Sequence, residues 1–187
     1  MRERDWTVVT RRRCDECGLD APAIPERRLA DAVRAVALRW QMRLASARPA
    51  ALRSRPRAGA WSALEYAAHT RDVLARFAER VDLTVHAAAP PELGWWDHEA
   101  TAADEGYNGQ DPNAVAHALV ANAELLAAIL ERVPPDGWAK QATRRGTESF
   151  TVAGLARFAL HEAHHHLADA ERAVRAAPGR GRPPAKA

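Results

Sequence analysis

Four stretches of this chain place apolar residues at helical spacing, and each carries its own start or stop signal. In the first, Leu29, Val33, Val36 and Trp40 recur along one face, with Leu44 a turn later, between Pro25 and Pro49. The second opens on Ser62-x-x-Glu65, a capping box in which each side chain can satisfy a free amide of the first turn. It continues through Leu64, Val73, Phe77 and Val81 to residue 84. Asp111-Pro112 opens the third as N-cap and first-turn proline, Val115, Leu119, Leu126, Ile129 and Leu130 carry it to Val133, and Pro134-Pro135 stop it. Thr151 caps the fourth, which runs to residue 176. The 43 alanines and 25 arginines among 187 residues, set against 11 aromatics, favour helix throughout. The expectation is an all-α chain folded as a four-helix bundle, where inward positions on facing helices are the natural place for a site.

Between the helices the sequence is irregular. Residues 1–25 are basic and hold Cys14 and Cys17, residues 53–59 read as a loop broken by Pro56, and residues 86–110 form a long loop rich in Trp, Asp and Glu. A loop of that length inside a compact domain is usually functional or mobile. Residues 138–150 contain an Arg145-Gly146 turn and suit a short hairpin or an extended connection. The last residues, GRGRPPAKA, read as a disordered tail. The expected organisation is a basic segment over 1–25, a bundle over 26–177 and a tail over 178–187.

Charge narrows the function classes. The formal net charge is only +3, with five arginines in the first 13 residues and Arg180 and Arg182 in the tail, so the excess is terminal. No aromatic–basic interleaving points to nucleic acid. No apolar run approaches the ~20 residues of a membrane helix, and the basic start lacks the apolar stretch of a signal peptide. Two cysteines three positions apart are no secreted disulfide framework. A cytoplasmic protein that acts on a small molecule, with no membrane or nucleic-acid partner, is the expectation, and an apolar first helix allows a homodimer.

The histidines carry the chemistry. The run His161-Glu162-Ala163-His164-His165-His166 lies deep in the fourth helix, where so many imidazoles serve no folding purpose. His161 and His165 are four apart and can present two rings to one point. His164 and His166 point away from that direction and suit a solvated face. His161-Glu162-x-x-His165 also reads as the H-E-x-x-H of zinc proteases, but a small helical body with no substrate-binding strand is the wrong chassis for one. A bundle needs a further ligand from a facing helix, and His69, seven residues after the Ser62 cap, supplies it. The alternative for His69 is a satisfied core histidine. Three histidines would leave a coordination position open, the mark of a catalytic metal. Glu65, one turn before His69, could orient it.

Trp61-Ser62-x-x-Glu65-x-x-x-His69 together with the late His161-x-x-x-His165 helix, preceded by Phe150-Thr151-Val152, resembles the DinB/YfiT-like superfamily of metalloenzymes over about residues 27–176. The resemblance implies a four-helix bundle with a divalent metal, zinc or nickel, held by His69, His161 and His165. It also implies a thiol-dependent transferase or isomerase that uses mycothiol, bacillithiol or glutathione as cosubstrate against a small electrophile. The alternative is a stress-response bundle that binds metal or ligand and converts nothing. Asp97, His98, Asp104 and Tyr107 in the long loop could cover such a metal, with ordinary loop polarity as the alternative, and Arg144 and Arg145 could bind carboxylates of a cosubstrate or be solvated turn arginines.

Cys14-x-x-Cys17-Gly18 lies outside the part of the chain that carries the resemblance. It is half of a zinc knuckle, and a closed site needs four ligands. Histidines from elsewhere or a second subunit could complete a second metal site. A redox pair or a loop with two free thiols are the other readings.

Overall fold

The computed structural model describes residues 6–178, so the expected tail lies outside the described residues from 179 onward. Four long helices carry the fold: α1 (Leu29–Ser46), α3 (Ala63–His86), α5 (Pro112–Glu131) and α6 (Val152–Ala176), with short α2 (Pro49–Leu52) and α4 (His98–Asp104) between them. Pro49, expected to close the first helix, instead opens α2 at its first position, where a missing amide costs nothing. α3 packs on α5 and α6, and α1 packs on the same two helices. The consecutive helices α1 and α3 therefore stand on opposite corners of the bundle.

The start signals act as the sequence implies. The Ser62 side chain accepts from the Glu65 amide (3.2 Å) while Glu65 accepts from the Ser62 amide (2.8 Å). Asp111 accepts from the Asn113 amide and Thr151 from the Gly154 amide. The core is built from fully buried Trp40, Leu64, Leu74, Leu119, Leu126, Leu155, Leu160 and Leu167. Each such side chain contributes roughly 1.5–3 kcal/mol on burial. Trp40 also donates its indole N–H to the Ala163 carbonyl at 2.9 Å, which fixes α1 against α6.

By length and composition α5 is apolar enough to cross a membrane. Reading for unbroken apolar runs misses this, because alanines raise its hydropathy between Asn, His and Glu. In the fold its row Val115, Leu119, Ala123, Leu126 and Leu130 is buried.

The long connection over 86–110 is not a bare loop. It contains β1 (Glu92–Leu93), α4 and a 3-10 turn at Tyr107–Gly109. Arg80 donates to the Gly94 carbonyl (2.8 Å), Arg53 holds the carbonyls of Asn108 and Gln110, and the Tyr107 hydroxyl donates to Asp72. Residues 138–150 form the expected hairpin, with β2 (Gln141–Arg144) antiparallel to β3 (Glu148–Thr151), and β1 adds to β2 in parallel. The turn holds Arg145 at φ 53°, the one non-glycine residue with positive φ among the described residues.

Candidate metal centre

α6 presents two adjacent faces. Residues four apart share a face, and the next residue is turned by about 100°. His161 and His165 make one pair, Glu162 and His166 the next. The structure gives each pair different partners. Donor atoms of His69, Glu162 and His166 all lie within 4.8 Å of one another, and so do those of Cys14, Cys17, His161 and His165. The three histidines expected to share one ion are thus divided between two clusters. α3 delivers His69 toward the 162/166 face of α6, and the N-terminal segment covers the 161/165 face.

The first cluster is walled by aromatic rings and opens into a cavity. The His69 and His166 ring centroids are 4.8 Å apart. Trp96 stacks on His69 at 5.3 Å with planes 12° apart, and Trp61 packs at 5.1 Å. Burial holds the His69 ring well below its ordinary pKa, with His166 adding repulsion, so it is neutral. Its buried Nδ1 has no hydrogen-bond partner among the described residues. Burial by itself would raise the Glu162 carboxyl, but His161 and His166 outweigh it and hold the group well below the carboxylate range. Burial likewise opposes protonation of His166, yet Asp169 and Glu162 push it up to about 9. His166 Nδ1 lies 3.1 Å from Asp169 Oδ2 and its Nε2 lies 3.6 Å from Glu162 Oε2. A neutral imidazole with an orphaned nitrogen, an ionised carboxylate and a second imidazole that is backed by an aspartate and gives up its Nε2 proton on binding fit a divalent cation. Such a donor set leaves coordination positions open.

In the second cluster Cys14 Sγ lies 3.7 Å from His165 Nδ1. Burial would raise the Cys14 thiol, but hydrogen bonds from the Cys17 backbone and His161 lower it below its ordinary value. Burial would lower the His161 ring, but Cys17, Glu162 and Cys14 push it up to about 10.

The cavity beside the first cluster has a volume of about 440 Å³ and is lined by His69, Glu162, His165 and His166, by Arg80, Arg144 and Arg145, and by Val73, Phe77 and Phe158. Burial pushes the Arg80 guanidinium down to about 10, with Arg144 and Arg76 adding repulsion. Arg80 is paired with no carboxylate among the described residues, whereas Arg144 holds Glu148 at 2.6 Å. Arg145 lies flat over Trp95, 3.4 Å from the ring centroid.

The loop candidates have mixed positions. His98 lines the cavity, 5.6 Å from His69 between ring centroids. Asp97 caps α4 by accepting from the Ala100 amide. Tyr107 is buried on Asp72, and Glu65 is held by Arg55 and the Ser62 amide. None of these three lines the cavity. Glu162 and His166 were assigned no metal role from sequence, although they share the i, i+4 spacing of His161 and His165. Arg80 and Trp96 carried no motif at all.

A family model described as the DinB superfamily matches residues 31–170. Among solved structures the chain is similar to YfiT from Bacillus subtilis, described as a probable metal-dependent hydrolase with an unusual four-helix bundle topology. The TM-score is 0.72 at 18% identity, covering 80% of this chain and 86% of that one, a likeness of fold. No curated protein matches the chain.

Proposed function

Because the chain belongs to the DinB superfamily, we propose that it is a metal-dependent enzyme whose ion, zinc or nickel, is held by His69, Glu162 and His166. In this reading it acts on a small electrophile that carries an anionic group. The observation that carries the proposal is the convergence of these three donors on a cavity that is also lined by Arg80, an arginine with no carboxylate partner among the described residues. A bound ion of this kind lowers the pKa of a thiol or water, so that a nucleophile exists at neutral pH.

The chain's own residues do the rest. Asp169 fixes the His166 ring through Nδ1, so that Nε2 faces Glu162. Trp96 and Trp61 cover His69 and exclude water from it. Arg80 and Arg144 orient the anionic end of the substrate. His98, at the cavity wall, can take or return a proton. A low-molecular-weight thiol is the nucleophile that the family resemblance implies, and the cavity volume suits a small pair of reactants. Water is the second reading, favoured by the likeness to YfiT.

The test is a screen of metal-loaded protein against small anionic electrophiles, with and without a panel of low-molecular-weight thiols. Turnover that requires a thiol supports transfer. Turnover without one supports hydrolysis. A loaded protein that binds substrate analogues yet turns over nothing would leave a binding bundle.

A further inference from the structure

We propose that Cys14, Cys17, His161 and His165 form a second, closed metal site that holds a structural zinc ion and clips the N-terminal segment onto α6. This site stands independently of the ion proposed for the cavity.

Four observations carry it. The donor set is complete: two sulfurs and two imidazoles with all four donor atoms mutually within 4.8 Å. Tetrahedral zinc at about 2.3 Å from sulfur and about 2.0 Å from nitrogen spaces its donors by ~3.3–3.8 Å, so small side-chain adjustments close the site. The backbone around the cysteines has the turn a single ion needs. The Gly18 amide donates to the Cys14 carbonyl (2.9 Å), the Cys14 amide donates to the Leu19 carbonyl (2.9 Å), and Gly18 takes φ +75°, a left-handed conformation that favours glycine.

Both imidazoles are backed by carboxylates. His165 turns Nδ1 to Cys14 and places Nε2 3.5 Å from both Glu16 and Asp169. His161 has Nδ1 3.3 Å from Glu162 Oε1, which makes Nε2 its metal-facing nitrogen. Carboxylates behind the rings of ligating histidines are the usual support of a zinc site. Finally, the cluster joins parts of the chain that lie 151 positions apart, Cys14 and His165. The segment that bears the cysteines reaches α6 through buried Val9 and through Arg157, which donates to the Ile24 carbonyl at 3.3 Å. Four protein ligands fill the coordination shell, so this ion has no position for substrate and its task is structural. A Cys14–Cys17 disulfide would use the two sulfurs but leave two carboxylate-backed imidazoles beside it without a purpose.

The experiment loads the full-length protein with cobalt in place of zinc and reads metal content and absorption together. The wild type is expected to bind two ions per chain and to show a sulfur-to-cobalt charge-transfer band. Cys17→Ser is expected to lose one ion, lose most of that band, and become at least tenfold more susceptible to limited proteolysis within residues 11–24. His69→Ala is expected to lose one ion and keep the band, which separates failure at the cavity from failure here. The wild-type spectrum protects the test against a variant that does not fold. A wild type that binds cobalt without a thiolate band overturns the proposal, as does a Cys14–Cys17 disulfide in protein purified under reducing conditions. Unchanged metal content in Cys17→Ser with the band intact would overturn it as well.

Discussion

Glu162 stands between two histidines of its own helix, with Oε1 3.3 Å from His161 Nδ1 and Oε2 3.6 Å from His166 Nε2. One carboxylate thus touches both clusters, as a proposed ligand in one and as the proposed support of a ligand in the other. Glu162→Gln keeps the shape and removes the charge. It is expected to abolish metal at the cavity and to weaken metal at the cysteine cluster by about 10–100-fold. Competition with a chelator of known affinity measures both losses.

Asp169 backs His166 at 3.1 Å and His165 at 3.5 Å. Asp169→Asn should lower affinity at each site by about 10–100-fold while leaving both ligand sets in place. Metal titrations followed by cobalt absorption check this. An affinity equal to wild type at both sites would remove the supporting role.

The Glu65 carboxyl is buried, which by itself would raise it, but Arg55 and the Ser62 amide hold it below its ordinary value. A carboxyl depressed in the folded state contributes stability that is present above its unfolded pKa and is lost as pH falls through the folded value. Glu65→Gln should therefore cost about 1–2 kcal/mol at neutral pH. That difference should shrink once pH drops below the ordinary carboxylate range of about 4. Urea unfolding at neutral and acid pH measures it.

Arg80 is buried at the cavity wall and is paired with no carboxylate among the described residues. Arg80→Met should raise KM for an anionic substrate about tenfold or more, the equivalent of about 1.5–3 kcal/mol for a charge-assisted hydrogen bond. kcat for a neutral analogue should stay near wild type. A uniform loss on both substrates would show that Arg80 shapes the wall rather than binds the anion.

Trp40 fills the junction of α1 and α6 and donates to the Ala163 carbonyl. Trp40→Phe should cost about 2–3 kcal/mol through the smaller ring and the lost donor. Metal content should not change, because Trp40 supplies no donor atom to either cluster. Chemical denaturation and elemental analysis of the same sample test both statements.

Helices α1, α3, α5 and α6 were legible because each carries a repeating apolar face, and the last three carry a start signal as well. Ser62 with Glu65, Asp111 with Pro112, and Thr151 all cap where their side chains imply. Short α4 was not legible: it is about two turns after the Asp97 cap, with only Ala102 buried. At the site, spacing alone shows that His161 pairs with His165 and that Glu162 pairs with His166. It does not show how far α6 is rotated about its axis, and that rotation decides which pair meets His69. The rotation is set by the packing of α6 against α3 and α1 along its whole length. The partnership of Cys14 with His165 spans 151 positions and has no local signature.

The measurement that tests the two-face account most directly is anomalous diffraction at the zinc edge from crystals of the zinc-loaded protein. The account predicts two peaks per chain, one among Cys14, Cys17, His161 and His165 and one among His69, Glu162 and His166. A single peak shared by His69, His161 and His165, with the cysteine sulfurs away from it, would contradict the account.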